Sequence, residues 1–423
     1  MHVLIGTEVF FPDFFGGAGR VVYDVARCLA GRGHRISVVT PQIRRDLKER
    51  EDFGTFAVFR YPVCPLGGAP RALKGLVGVW GAANGAARLY GRPDVVYVHR
   101  PFTALAISVW GEMWASLLIY HLHSPWRAEY EIKIGGGGLG GPVRQWLEEL
   151  ALARAHRVVV LSHYMKGLAA RFHPYHQAKV VVIPAGVDTA RFAPVADRAA
   201  LRVGLGLPSD RFLLLTVRNL VPRMGLENLL DAMARVALIC PQVMLLIGGR
   251  GLIEGSLRQR AAALGLDRVV RFLGYIAEER LPEYYAAADC LILPTRALEG
   301  FGLVTIEAMA CGTPVIGTPV GGTREILEPF AKHLLARGTD ADALADAVVA
   351  FVRSFAGDEG LRARCRRYVE EWYALDILAA RMESFFAGEW RPGHGIAEPG
   401  PNAGRGDSVQ AAGLAHRLRQ SGA

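Results

Sequence analysis

Short runs rich in valine and isoleucine alternate with helix-like stretches along most of the chain, and the alternation occurs twice. In the first half, the predicted strands cover residues 3–6, 35–40, 94–99, 116–123, 157–162 and 179–184. These runs do not alternate apolar and polar residues, which is typical of strands covered on both faces. The repetition of strand and helix therefore predicts an α/β fold with parallel, doubly wound sheets.

The same pattern restarts after a linker rich in glycine, proline and alanine that follows Pro184. Its predicted strands cover residues 212–217, 243–249, 269–274, 289–294 and 314–319. We therefore predict two Rossmann-like domains, at residues 1–193 and 194–366, that face each other across a cleft. In such sheets, ligands bind beyond the carboxyl ends of the strands. An amphipathic helix is expected at residues 367–387, followed by a disordered tail at 388–423.

Composition favours a globular protein of a reducing compartment. The chain has 423 residues, which is long enough for more than one domain. None of the six cysteines forms a C-x-x-C pair, so neither a zinc site nor a disulfide framework is indicated. Glu112 interrupts the apolar stretch 103–120, which favours a buried helix followed by a strand over a membrane span. The N-terminus reads as a strand and not as a signal peptide, so a cytoplasmic location is expected.

The net charge is +9, and all of it lies in the first half, where residues 1–195 contain 23 basic and 14 acidic residues. This asymmetry suggests an anionic partner for the first domain, either a phosphate-bearing acceptor or the inner face of a membrane. An ordinary basic surface explains the excess equally well. No nucleic-acid partner is expected.

Three segments carry residues suited to phosphate and sugar chemistry. Gly16 and Gly17 lie between a strand and a helix, where backbone N–H groups can approach an anion, although most such segments are only tight turns. Arg218 and Arg223 follow a predicted strand, and guanidinium groups form forked bonds to phosphate oxygens; a solvated loop is the alternative. In the third segment, EGFGLVTIE, Glu299 and Glu307 bracket a glycine turn and a helix N-terminus. Carboxylates accept hydrogen bonds from the vicinal hydroxyls of a sugar or a ribose.

Several stretches together resemble the retaining glycosyltransferases of the GT-B fold, in the nucleotide-sugar-dependent family numbered four. They are the glycine turn, the stretch IPAGVDTARFAP and the stretch FLGYIAEERLPEYYAAADCLILPTRALEGFGLVTIEAMACGTPVIGTPVGGTREI. The resemblance covers roughly residues 1–387 and implies that the last helix returns to the first domain.

The resemblance also implies roles for individual residues. Glu307 would bind the ribose of the donor and Glu299 the donor sugar, and His123 would lie near that sugar, with His121 the less favoured candidate. The backbone of Phe301, Gly302 and Leu303 would contact the sugar and the diphosphate. Gly17, with Gly16, would lie at the diphosphate. Gly274 and Tyr275 would lie beside the base. No cofactor is implied beyond the nucleotide-diphosphate sugar, which is a substrate.

One position departs from the family pattern. The usual Arg and Lys of the loop after the first strand of the second domain would fall at Asn219 and Met224. Arg218 and Arg223 each lie one residue earlier, so either the two cations are shifted together or the phosphate clamp is lost. Asp340 and Asp342 form a D-x-D sequence, which we interpret as a helix N-terminus and not as a metal site; no metal is expected.

The resemblance thus implies a hexosyltransferase that moves a sugar from its nucleotide carrier to a hydroxyl of a glycan or lipid-linked acceptor, as in bacterial polysaccharide or glycolipid assembly. Two alternatives share the architecture: a nucleotide-sugar 2-epimerase or isomerase, and a non-catalytic sugar-nucleotide-binding protein. The sequence identifies neither the donor nor the acceptor.

Overall fold

A computed structural model describes residues 1–13, 16–63, 68–108, 116–134, 138, 140–355 and 357–388. The chain divides into two compact units. The first contains Met1–Gly186 and the last helix that the structure describes, which begins at Leu375, and the second contains Val187–Ala374. The tail predicted to be disordered lies, from residue 389 onward, outside the described residues.

The first unit is built on an eight-stranded sheet with the order β3-β4-β2-β1-β5-β6-β7-β8. All neighbouring strands are parallel except β3, which pairs antiparallel with β4. The strands are β1 (His2–Gly6), β2 (Arg35–Gln42), β3 (Arg50–Asp52), β4 (Ala57–Pro62), β5 (Val95–Val98), β6 (Leu117–His121), β7 (Arg157–Val160) and β8 (Val180–Val182). The central strand β1 is buried along its whole length, which agrees with the absence of polar alternation in its sequence.

Helices connect these strands. They are α1 (Gly17–Gly31), α2 (Gly68–Tyr90), α3 (Pro101–Ser108), α4 (Trp126–Ile134), α5 (Gly140–Arg154) and α6 (His163–Phe172). The apolar stretch 103–120 is a helix followed by a strand, as predicted, with residues 109–115 outside the described part. Among the described residues, no helix has the length and apolar character that crossing a membrane requires.

Strands β3 and β4 were not predicted. The side chain of Arg60, on β4, is fully buried and donates to Asp13 Oδ2 at 2.6 Å and to Asp13 Oδ1 at 2.9 Å. In the sequence, a charged residue such as Arg60 within a short apolar run suggests a solvated loop and not a strand. It is accommodated here because a buried charge is stable when it is paired and hydrogen-bonded.

The second unit contains a five-stranded parallel sheet with the order β11-β10-β9-β12-β13. Its strands are β9 (Phe212–Val217), β10 (Val243–Gly248), β11 (Val270–Gly274), β12 (Cys290–Leu293) and β13 (Val315–Gly317). The helices are α7 (Arg198–Gly204), α8 (Leu226–Ile239), α9 (Glu254–Ala263), α10 (Leu281–Ala287), α11 (Leu303–Ala310), α12 (Gly321–Ala331), α13 (Ala341–Phe355) and α14 (Glu359–Trp372).

The prediction of one C-terminal helix at residues 367–387 is wrong. Helix α14 ends at Trp372, and a new helix, α15 (Leu375–Phe386), follows. The break occurs because Ala374 pairs with Val187 in an isolated bridge and Tyr373 accepts a hydrogen bond from the Val187 N–H at 2.8 Å. Helix α14 lies in the second unit, whereas α15 belongs to the first and packs on α1.

Candidate active site

The N-terminus of α11 lies in the second unit, after the carboxyl end of β12. Gly302 is the N-cap and has a left-handed backbone, with φ of 87°, which favours glycine. A Cβ atom at this position would lie 2.6 Å from Thr323 Oγ1 and 3.1 Å from Thr305 Oγ1. Both hydroxyl oxygens are buried without a hydrogen-bond partner. The unpartnered hydroxyls and the positive end of a helix start make this a polar cradle suited to an anion.

Arg218 and Glu299 form a buried ion pair beside this cradle. Arg218 directly follows β9, and its Nη2 donates to Glu299 Oε2 and to Thr295 Oγ1, the latter at 2.7 Å. Thr295 Oγ1 in turn donates to the same Glu299 oxygen at 3.1 Å. Because β9 and β12 are neighbours, their carboxyl ends bring these residues together. The sequence analysis assigned Arg218 and Glu299 separate roles. It predicted neither the ion pair between them nor the hydrogen bonds that Thr295 makes with both.

Arg223 lies in the 3₁₀ turn Pro222–Met224, and its Nη1 donates to the carbonyl oxygen of Leu298 at 2.9 Å. Leu298 has a positive φ of 55°, so the guanidinium holds a strained residue directly before Glu299. At the positions where the family pattern expects Arg and Lys, Asn219 is exposed and the buried Met224 has its Sδ 3.0 Å from Arg218 Nη2.

Glu307 lies in α11 and is buried. The hydroxyl of the fully buried Tyr285, on α10, donates to Glu307 Oε2 at 2.9 Å. Burial and then the adjacent carboxylate raise the pKa of Tyr285 well above its usual value, so the hydroxyl keeps its proton and remains a donor. The sequence gave no signal for this contact.

The remaining sequence-predicted residues of the second unit lie around the same sheet edge. Gly274 ends β11 with φ of 68°, and its carbonyl accepts the Gly249 N–H at 2.7 Å. Tyr275 follows with about half of its surface exposed, at 48%. Phe301 is buried against Tyr373, with ring centroids 6.0 Å apart, and Leu303 is the first residue of α11.

Two glycines that sequence reasoning passed over fix the loop that carries Glu299. Gly321 has φ of 61°, and a Cβ atom there would lie 1.9 Å from the Glu299 carbonyl oxygen. The Gly322 N–H donates to that oxygen at 3.0 Å, and a Cβ atom on Gly322 would lie 2.4 Å from Phe301 Cα. The sequence did contain a signal for Gly321 and Gly322, because they form a glycine pair between a strand and a helix, as Gly16 and Gly17 do.

In the first unit, Gly16 is the N-cap of α1 and Gly17 is its first residue. The carbonyl of Gly16 accepts the Arg20 N–H at 3.1 Å. Both glycines therefore occupy the helix start that the sequence indicated.

His123 lies two residues beyond the end of β6, close to His121 and His99. His99 Nδ1 and His123 Nε2 are 2.9 Å apart. Burial, and then the neighbouring His121 and His99, lower the pKa of His123 well below its usual value, so the ring is neutral near pH 7. His99 was missed, although it directly follows a buried strand.

The D-x-D sequence begins a helix, as predicted. Asp340 precedes α13, and its Oδ1 accepts the Ala343 N–H at 2.9 Å, which is the bond of an N-cap residue.

Tyr285→Phe tests whether Glu307 is positioned from α10. A hydrogen bond to a charged group contributes about 1.5–3 kcal/mol, so we expect the free energy of unfolding to fall by about 2 kcal/mol. If Glu307 binds the donor, the KM for the donor should rise in this variant while kcat stays unchanged. Tyr284→Phe, on the same helix, is the matched control. Equal donor KM values for the two variants would show that Tyr285 does not position Glu307.

Comparison with known proteins places this fold in one class, the GT-B glycosyltransferases. The family profile described as "Glycosyl transferases group 1" matches residues 197–372, and the profile "Glycosyltransferase Family 4" matches residues 15–191. A D-inositol 3-phosphate glycosyltransferase of Geodermatophilus obscurus is 30% identical over 84% of this chain and 80% of its own length. The chain therefore belongs to the family 4-like glycosyltransferases of the GT-B fold.

Other relatives support this assignment. A GDP-mannose-dependent phosphatidylinositol monomannoside mannosyltransferase of Corynebacterium glutamicum is 33% identical over 49% of this chain and 56% of its own length. The sucrose-phosphate synthase of Thermosynechococcus elongatus superposes with a TM-score of 0.76 at 25% identity, over 92% of this chain and 99% of that one. The chain has the GT-B fold that the sequence predicted, and it is a glycosyltransferase.

Proposed function

We propose that the protein is a retaining glycosyltransferase that moves a hexosyl unit from a nucleotide-diphosphate sugar to a hydroxyl of a glycan or lipid-linked acceptor in bacterial polysaccharide or glycolipid assembly. The main support is the arrangement at α11, where Glu299 and Glu307 lie on either side of a helix start with two unpartnered threonine hydroxyls. The relatives named for inositol phosphate and phosphatidylinositol mannoside chemistry favour a polar or lipid-linked acceptor.

In this proposal the leaving diphosphate lies at the N-terminus of α11, near Gly302 and Leu303. The N–H groups of the helix start and the cation of Arg218 stabilise the negative charge that develops as the sugar–oxygen bond breaks. No metal ion on the diphosphate is required, because these groups oppose its charge.

Glu307 receives the ribose hydroxyls and Tyr275 lies beside the base. Glu299, fixed by Arg218 and Thr295, accepts hydrogen bonds from hydroxyls of the donor sugar. His123 keeps the role near the donor sugar that the resemblance implies, and Gly16 and Gly17 keep theirs at the diphosphate.

The chemistry is a substitution at the anomeric carbon. The bond from that carbon to the diphosphate oxygen breaks as the acceptor oxygen attacks from the same face. The acceptor proton passes to the departing diphosphate oxygen, so atoms and charge balance. The configuration is retained without a covalent bond to the protein.

A donor screen tests the proposal. The full chain is first mixed with a panel of nucleotide sugars, because a bound donor raises the melting temperature by mass action. The stabilising donor is then supplied with hydroxyl acceptors, and proton NMR follows the anomeric configuration of the product. We expect nucleoside diphosphate release that depends on the acceptor, and a product with the configuration of the donor.

Other outcomes would contradict the proposal. An inverted product excludes retention. An isomerised donor in the absence of an acceptor indicates an epimerase, and binding without turnover indicates a sensor. The proposed location at the inner membrane face is tested separately with anionic vesicles, where failure to co-sediment would leave the basic first half without a membrane role.

A further inference from the structure

One carboxylate of the first unit is bonded to both ends of the segment that carries His123. Glu148, on α5, is buried, with 2% of its surface exposed. Its Oε1 accepts the hydroxyl of Tyr120 at 3.1 Å, and its Oε2 accepts the backbone N–H of Trp126 at 2.9 Å. Tyr120 lies three residues before His123, and Trp126 lies three residues after it. His123 is therefore the midpoint of a short segment whose two ends meet at a single side chain.

The packing of three elements brings the carboxylate to both ends of this segment. Tyr120 lies in β6, and Trp126 is the first residue of α4; helix α5 packs against both elements. The Trp126 N–H belongs to the first turn of α4, where N–H groups have no acceptor within the helix. An apolar side chain in place of Glu148 would leave this N–H and the Tyr120 hydroxyl without their acceptor. The contact therefore requires an acceptor with two oxygen atoms at this position.

A histidine balances the buried charge of this carboxylate. His173 Nε2 lies 3.0 Å from Glu148 Oε2, and His173 Nδ1 lies 2.5 Å from Glu149 Oε2. Burial lowers the pKa of His173, but the hydrogen bond and charge of Glu148 and then those of Glu149 outweigh burial, so the pKa is raised. The protonated ring donates from both nitrogens. Glu148 thus has donors on three segments of the chain, which restricts its movement from three directions.

We propose that Glu148 is a positioning residue for glycosyl transfer, because it closes the segment 120–126 and fixes the backbone of His123 at the donor sugar. The inference rests on the proposed function, in which His123 lies near that sugar. The ring of His123 has a separate contact, since its Nε2 lies 2.9 Å from His99 Nδ1. Backbone and ring are thus held by different partners, and the loss of Glu148 releases the backbone.

The backbone amide of Trp126 reports the contact without any substrate. The chain has seven tryptophans, so selective ¹⁵N labelling of tryptophan gives few backbone signals, and Trp126→Phe assigns the one of interest. In Glu148→Gln this amide should change its chemical shift and exchange with solvent at least about tenfold faster, because it loses a charged acceptor. The backbone amide of Trp80, in α2, should stay unchanged and shows that the first unit is folded.

The kinetic effect should fall on kcat. In Glu148→Gln we expect kcat to fall about 100-fold, the usual cost of a displacement of about 1 Å at a reacting site. The affinity for the free nucleoside diphosphate should stay unchanged, because that product lacks the sugar. Glu149→Gln is the matched control, since the neighbouring carboxylate contacts His173 and His176. It separates the loss of the segment contacts from the loss of a partner of His173, and it should keep nearly the normal kcat.

Two results would overturn the inference: an unchanged Trp126 amide in Glu148→Gln, or a changed amide with a normal kcat. If the Trp80 signal shows that Glu148→Gln does not fold, Tyr120→Phe decides, because it removes one of the two contacts with the segment and a normal kcat then rejects the role. Absence of sugar transfer in the unaltered chain rejects the proposed function and the positioning role with it. Transfer by the unaltered chain with an unaffected variant rejects the positioning role alone.

Discussion

Replacing Arg218 with methionine is expected to lower the free energy of unfolding by about 3–5 kcal/mol, which is the usual cost of breaking a buried ion pair by removing one partner. The methionine leaves the Glu299 carboxylate buried beside Thr295 without its cation. If the proposed function holds, transfer to the acceptor also falls by about 100- to 1,000-fold, as when one donor to a developing negative charge is lost. Chemical denaturation and steady-state kinetics measure the two effects.

A double-mutant cycle separates the pair from its parts. Arg218→Met with Glu299→Gln should be more stable than Arg218→Met alone, because the glutamine removes the unpaired charge. Arg223→Ala is the control for the stability measurement, because it removes an arginine that is only partly buried and whose Nη1 contacts a carbonyl oxygen and not a carboxylate. Additive stability changes in the cycle would show that Arg218 and Glu299 do not act as a pair. The same two arginines were predicted to hold the diphosphate of the donor. Near-normal turnover in both Arg218→Met and Arg223→Ala would reject that role.

Gly321→Ala should abolish most of the activity through a steric effect. The new Cβ atom would meet the Glu299 carbonyl oxygen at 1.9 Å, so the loop from Glu299 to Phe301 must shift. A displacement of about 1 Å at a reacting site costs roughly 100-fold in rate. The effect is measured as kcat/KM with the donor identified by the screen, together with the melting temperature.

Gly265→Ala is the matched control for this substitution. Gly265 has a similar φ of 68°, but a Cβ atom there meets nothing within 4 Å. Both variants carry the backbone strain of about 1–2 kcal/mol for a left-handed residue, and only Gly321→Ala adds the clash. Equal losses of activity in the two variants would show that strain, and not contact with the Glu299 loop, is responsible.

Sequence patterns predicted the local elements of the second unit well. Strand β9 covers the predicted residues 212–217, and α11 begins at Leu303, inside the segment between Glu299 and Glu307 where a helix N-terminus was predicted. Both predictions depended on short-range signals: an apolar run, a glycine turn and a helical spacing. The repetition of these signals predicted two Rossmann-like domains, the resemblance implied the GT-B fold, and both profile matches support that fold.

Contacts between distant segments could not be predicted in the same way. Arg218 and Glu299 are 81 positions apart, and only the strand order β9-β12 brings them together. His99 and His121 likewise meet because β5 and β6 are neighbours, and nothing local in the sequence indicates that pairing. Strand β4 was missed because its buried Arg60 is stabilised by Asp13, a residue that lies outside the strand.

The position of helix α15 determines when the first unit can complete its folding during translation. Glu383 on this helix accepts hydrogen bonds from Arg32 at 2.6 Å and from His34 at 2.8 Å, and Phe386 packs edge-on against Tyr97 with ring centroids 6.0 Å apart. A nascent chain that has emerged only as far as Gly186 has every strand of its large sheet but not these partners. The first unit is therefore completed only after the second has been synthesised, and a gene fragment encoding residues 1–186 alone would lack the helix that packs on α1.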